Sequence, residues 1–183
     1  MTQASDFGAT GDGVTDDTAA LQHAIDEGVG ELTLPRGDYR ITQPILINLA
    51  TTGRTSIRGE GGTCRILMAG PGPAFSFVGT HAASADPTTF RDSEWTHERM
   101  PMISQLEIVG QHADADGVRI EGVMQPVITG VLLRKLRHGI RITGRARNVL
   151  ISHCHIYHNL GVGIYLDGVN LHQTIISASH ISY

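Results

Sequence analysis

Arg119, Arg141 and Tyr165 stand at the same point of three related phrases, GVRIEG (117–122), GIRITG (139–144) and GIYLDG (163–168). Glu121, Thr143 and Asp167 follow two residues later in each. If the phrases are strands stacked on one another, period-two alternation turns Val118 and Ile120, Ile140 and Ile142, and Ile164 and Leu166 inward. The six polar residues then point outward in two files. The guanidinium forks of Arg119 and Arg141 match the oxygens of a carboxylate or sulfate, and Tyr165 completes the file as a third substrate contact. Glu121 and Asp167 lie two strand spacings apart, roughly 9 to 10 Å between backbones. Side-chain reach brings them into the range of an inverting acid and base pair. Asp167 and Glu121 are thus the candidate catalytic residues, on a surface suited to an anionic ligand. The bland reading uses the same residues: the arginines hold the carboxylates ionised in a plain ion network on a solvent-facing sheet.

The elements that must position these residues form a repeat. The three phrases recur after 22 and 24 residues, and a second series, LEI (106–108), VLL (131–133), CHI (154–156) and SHI (179–181), recurs after 25, 23 and 25. Each segment is short, alternates apolar with polar, and is broken by Gly or Asn, which favours strands over helices. Short strands at a fixed period, none able to bury its apolar side alone, define a solenoid. In the second series Ile108, Leu133, Ile156 and Ile181 stack inward, preceded by an inward row of Val131, Cys154 and Ser179, so Cys154 is a small buried hydrophobe. His153, His155, His158 and His180 crowd one region, but a metal site needs convergent ligands and residues on a strand bend diverge, so no metal is expected. Asn148, Asn159 and Asn170 read as corner residues.

Upstream, DFGATGDGVTDDTAALQHAIDEG (6–28) contains one amphipathic helix. Thr15 is its expected N-cap, Asp16 and Asp17 place charge in the first turn, Gly28 stops it, and Ala20, Leu21, Ala24 and Ile25 share a face. Laid across the open end of a solenoid, that face covers exposed core and unpaired strand edges. Residues 79–101 break the coil pattern and hold the only tryptophan, Trp95. Trp95 is either a platform for a sugar ring or the residue that pins this loop to the coil wall.

Composition narrows the class. The chain has 183 residues, 22 glycines and a formal charge of −4, with four Phe and four Tyr. It turns often and offers no basic field for nucleic acid. Two cysteines make no disulfide scaffold, no apolar run reaches the length of a membrane span, and the polar start has no signal-peptide core.

The entry segment 6–26 followed by GELTLPRGDYRI (30–41) resembles the opening of the pectate lyase superfamily, the right-handed β-helix group that includes polygalacturonases, alginate epimerases and bacteriophage tailspikes. The resemblance is close over about residues 6–41 and in kind to 183. It implies an all-β fold: a single-stranded right-handed parallel β-helix with an N-terminal capping α-helix. Residues 1–30 form the cap segment and 31–183 the coils of one domain. It also implies a scaffold used for saccharides, uronate-containing polymers among them, worked on by lyases, hydrolases or epimerases, with no cofactor and an extracytoplasmic or secreted setting. The hydrolase set of Asn-x-Asp, Asp-Asp and Gly-His-Gly is missing from the coils, Asp16-Asp17 lying in the cap. The epimerase phrase Asp-Pro-His-Glu is missing too, since Asp86-Pro87 is followed by Thr88. The expectation is therefore a polysaccharide-directed protein whose usual active-site coils are altered or lie beyond residue 183. A saccharide-binding or tailspike-like module and a structural fragment remain as alternatives. No helix signal caps the C-terminal end, which points to further coils or to a homo-oligomer through that end.

Overall fold

In the computed structural model, which describes residues 2–82 and 86–183, the chain winds through three faces per coil, and every strand pairing is parallel. Face I contains Ile45–Asn48, Gly72–Val78, Ala115–Met124 and the first halves of Ile140–Ser152 and Ile164–Ser177. Face II contains Thr2–Gln3, Glu31–Leu34, Ser56–Gly59, Met102–Ser104, Val127–Thr129 and the second halves of the same two long strands. Asn148 (φ 51°) and Gln173 (φ 58°) turn those strands from one face to the next, so faces I and II form one folded sheet of ten strands. Face III is a separate seven-stranded sheet running from Asp12–Asp16 to His180–Ile181. The protein is a right-handed parallel β-helix, the handedness that parallel crossovers adopt.

The repeat sets the register. Val118, Ile140 and Ile164 are partners, as are Ile120, Ile142 and Leu166. On face III, Ile108, Leu133, Ile156 and Ile181 are partners in turn. Side chains alternate in and out, so the inward members build one continuous core, buried from Leu32 to Ile156. Cys154 lies within it, and burial raises its thiol pKa. In the last coil the inward files are open, and Leu166, Ile176 and Ile181 are about half exposed. No helix among the described residues is long and apolar enough to cross a membrane.

The N-terminal end is covered as expected by a helix, Thr18–Asp26, which buries Leu21, Ala24 and Ile25. Its start differs. Thr15 lies in the strand Asp12–Asp16, and the N-cap is Asp17. The Asp17 carboxylate does not cap; it turns back and accepts from the backbone N–H groups of Thr10 (2.7 Å) and Gly11 (3.1 Å). Thr15 is consumed elsewhere, because the Asp12 carboxylate accepts from the N–H groups of Val14 and Thr15 and from the Thr15 hydroxyl, each at 2.8 Å. The Asp- and Gly-rich entry is therefore a self-bonded turn. Gln22 on the helix holds the outermost strand of face I: its Nε2 donates to the Leu46 carbonyl (3.0 Å) while its Oε1 accepts from the Leu46 N–H (2.8 Å).

Candidate functional site

Face I assembles the predicted files in register. Arg119 faces Arg141, which faces Tyr165, and Glu121 faces Thr143, which faces Asp167. Each arginine is paired with a carboxylate. Arg119 Nη2 donates to Glu121 on its own strand, and Arg141 donates through Nε (2.9 Å) and Nη2 to Asp167 on the next rung. All four side chains are between one-quarter and two-fifths exposed, so the pairs are open to solvent on one side. The hydrogen bond from Arg141 holds the Asp167 carboxyl below the usual carboxylate range, and Tyr165 acts in the same direction. Asp167 therefore stands ionised at neutral pH. The ion network foreseen as the bland reading is present, and it orients both guanidinium groups outward from the sheet.

Three residues extend this surface where the chain enters face I. Asp116, almost wholly buried, accepts from Arg137 Nε (2.9 Å) and Nη2 (2.7 Å) and from the His138 N–H (3.1 Å). The His138 ring lies 4.8 Å from the Tyr165 ring, and its Nδ1 accepts from the Val162 N–H. A polar band thus runs from Asp116 through Arg137 and His138 to Tyr165, Asp167 and Arg141. Asp116, Arg137 and His138 were not singled out from the sequence. The available signal was position, since Asp116 and His138 immediately precede the glycines that open two of the repeat phrases.

Trp95 is not brought into the two files. It sits on a π-helical turn, Glu94–Glu98, inside the long loop, and its ring packs against Phe90 at 5.4 Å. Phe90 in turn lies under the Arg147 guanidinium, 4.6 Å away. The loop, of which residues 83–85 lie outside the described part, is anchored by buried polar groups. The Glu98 carboxylate accepts from the N–H and hydroxyl of Thr80, both at 2.7 Å, and the His81 N–H reaches the Gly122 carbonyl at 2.9 Å. Glu94 stands 3.3 Å from His81 Nδ1 and accepts from Arg91 Nε at 3.2 Å. On face III, His155 and His180 are stacked as the repeat requires, with ring centroids 6.1 Å apart. Asn148 occupies a corner and donates to Gln173 on the next rung at 2.6 Å. The Asn159 amide oxygen accepts from the Leu136 N–H at 3.0 Å. Asn170 differs, lying within the strand Ile164–Ser177 opposite Arg145.

A winding of this kind, with a polar file on one face and a helix over its first coil, defines the pectate lyase-like class of β-helix proteins. The chain belongs to the rhamnogalacturonase A/epimerase, pectate lyase-like family, which it matches over residues 1–177. Over 41 residues it is 58% identical to mannuronan C5-epimerase AlgE5 of Azotobacter vinelandii, a match covering 20% of this chain and 4% of that protein. Over 103 residues it is 33% identical to the non-secreted LysM effector LysM19 of Penicillium expansum, covering 49% and 8% respectively. Among solved structures, the A-module of A. vinelandii mannuronan C-5 epimerase AlgE4 superposes with a TM-score of 0.67 at 16% identity, over 98% of this chain and 50% of that one. ORF18 of Geobacillus virus E2 gives 0.63 at 20% identity, over 97% and 40%. The chain spans half or less of these structures and under a tenth of these two curated relatives. At such identities the superpositions speak for the fold.

Proposed function

We propose that the protein binds an acidic, uronate-containing polysaccharide along face I, with Arg119, Arg141 and Tyr165 as successive contacts. The observation that carries this reading is the in-register file of two guanidinium groups and a phenol, one per rung, with each guanidinium oriented by its own carboxylate partner. A substrate carboxylate can take up the free edge of such a fork without new ordering of the side chain. Membership of a family named for rhamnogalacturonase and epimerase, and similarity to mannuronan epimerases, support a uronate polymer as the ligand class. A bacteriophage tailspike protein among the structural neighbours supports action outside the cytoplasm.

A second reading adds chemistry at the same place. Asp167 is held ionised by Arg141, which suits a base and not a proton donor. As an ionised base Asp167 can serve removal of the proton beside a uronate carboxylate, the step shared by lyases and epimerases, or the base half of an inverting Asp167 and Glu121 pair. In this reading Arg141 neutralises the substrate carboxylate and Tyr165 contacts the sugar.

Calorimetry with mannuronate and galacturonate hexamers tests both. Arg141→Ala should weaken binding by about tenfold, the loss of one charge-assisted contact, with the fold intact; unchanged affinity would remove face I as the site. Asp167→Asn should leave binding measurable while abolishing exchange of the sugar C5 proton in D2O. Binding by the parent protein without exchange or cleavage would leave a non-catalytic saccharide-binding module.

A further inference from the structure

Face II carries an outward file unlike the others. Successive rungs place Met102, Val127, Leu150 and Ile175 in register on the solvent side, where face I has Arg119 and Arg141. Solvent-facing positions of a sheet ordinarily carry polar residues, yet this file is apolar over four rungs, and Ile175 is 60% exposed. A row of amides borders it on one side: Gln125, Asn148 and Gln173 occupy the corner between faces I and II with φ of 55°, 51° and 58°, and Asn148 donates to Gln173 at 2.6 Å. A row of hydroxyls borders the other side, with Thr129, Ser152 and Ser177 in register and the first two oxygens 3.1 Å apart. The apolar floor and the amide wall bound a groove of about 740 Å³, and among the described residues no charged side chain lines it.

We infer that this groove is a second saccharide site, and that it takes an uncharged glycan lying along the helix axis. The lining selects against charge, because a uronate carboxylate placed there would be desolvated with no cation to meet it. The floor suits the C–H faces of pyranose rings, and the amide wall suits their equatorial hydroxyls. The period of the groove argues for a sugar polymer over a peptide. Its groups repeat once per rung, about 4.8 Å, whereas an extended peptide advances about 3.3 Å per residue and would fall out of step. A β-1,4-linked pyranose advances by close to one rung. A peptide laid along the axis would also run across the strands and could not pair its backbone with them.

The probes are mannohexaose and cellohexaose, β-1,4-linked and neutral, with a mannuronate hexamer as the charged counterpart of the first. The site predicts that at least one neutral hexamer binds in calorimetry, with an affinity that does not change between low salt and about 1 M NaCl, where the Debye length is about 3 Å. Ile175→Lys, at an exposed position where a lysine side chain can reach solvent, should weaken that binding at least tenfold, and Leu150→Asp should do the same. Arg141→Ala on face I should leave neutral binding unchanged, so a failure here is separable from a failure of the acidic site. Three results would overturn the inference. One is that neither neutral hexamer binds; another is that binding survives both groove substitutions. The third is a concentration-dependent association of the parent, seen by light scattering and abolished by Ile175→Lys, which would make a second copy the occupant.

Discussion

Of Gly117, Gly139 and Gly163, which open the three repeat phrases, the first two are held to glycine for a steric reason that has nothing to do with turning. None has a positive φ. A Cβ on Gly117 would lie 2.3 Å from the Gly139 carbonyl oxygen, and one on Gly139 would lie 2.5 Å from that of Gly163 and 2.9 Å from Ile156 Cγ2. The backbones of successive rungs are thus in contact at the point where the chain enters face I. Gly139→Ala should destabilise the protein by about 1–3 kcal/mol, the usual cost of overpacking, measured by urea unfolding; a midpoint equal to the parent's would refute the contact. Asp12 offers a test of electrostatics at the same scale. Backbone N–H bonds from Val14 and Thr15 lower its pKa from 3.8 to about 2. Because the folded-state value is the lower one, its stabilisation is complete above 3.8 and is lost as pH falls through about 2. Asp12→Ala should therefore lower the melting temperature at pH 7, and the difference from the parent should shrink across that window.

Among the elements, the cap helix was legible in the sequence and the long loop was not. The spacing of Leu21, Ala24 and Ile25 defines a buried face whatever lies beneath it, so the helix follows from periodicity alone. Its first residue was missed because Thr15 and Asp17 are both competent caps, and only the fold shows that Asp12 claims one while the preceding turn claims the carboxylate of the other. Leu21→Asp places a charge under the cap and should cost about 3 kcal/mol or more. A melting temperature within a degree or two of the parent's would show that the helix covers nothing. In the loop 79–101 the eye goes to Trp95, yet the anchoring is done by Glu94, Glu98 and His81, all buried. Charged residues in a polar segment give no sign from sequence that they will be buried. That depends on partners the loop brings together when it folds, Thr80 to Glu98 and His81 and Arg91 to Glu94, and on the contacts of His81 and Phe90 with Gly122 and Arg147 of the coil.

For the whole molecule, the coil register was readable because an apolar file must recur on the same side in every rung, and a one-residue slip would expose all of it. The division of the surface was less so. Face I alternates cations and carboxylates in files that the repeat displays directly. Its extension through Asp116 and Arg137 depends on a corner whose length varies from coil to coil. The apolar file of face II was hidden for a related reason: Val149, Leu150 and Ile151 are three consecutive apolar residues, and only the pairing decides that Ile151 is core while Leu150 lies on the outer side, part-exposed.

The Gln22 amide gives the solenoid a direction. One primary amide supplies a donor and an acceptor to Leu46, and the Asn48 carbonyl accepts from the hydroxyls of Thr51 and Thr52, so the first strand of face I is already partly filled where another chain would add to it. At this face the protein behaves as a terminated template: β-strand addition from the N-terminal side must first displace a side chain, so head-to-head stacking of two copies is blocked here. Gln22→Ala removes the two hydrogen bonds to Leu46 and a third to the Asp26 carboxylate, a loss of about 3 kcal/mol at most in fold stability. Its larger effect should be on colloidal behaviour, with faster growth of thioflavin-positive aggregates than in the parent at equal concentration. Equal rates would mean that the edge is protected by the bulk of the helix and not by the amide.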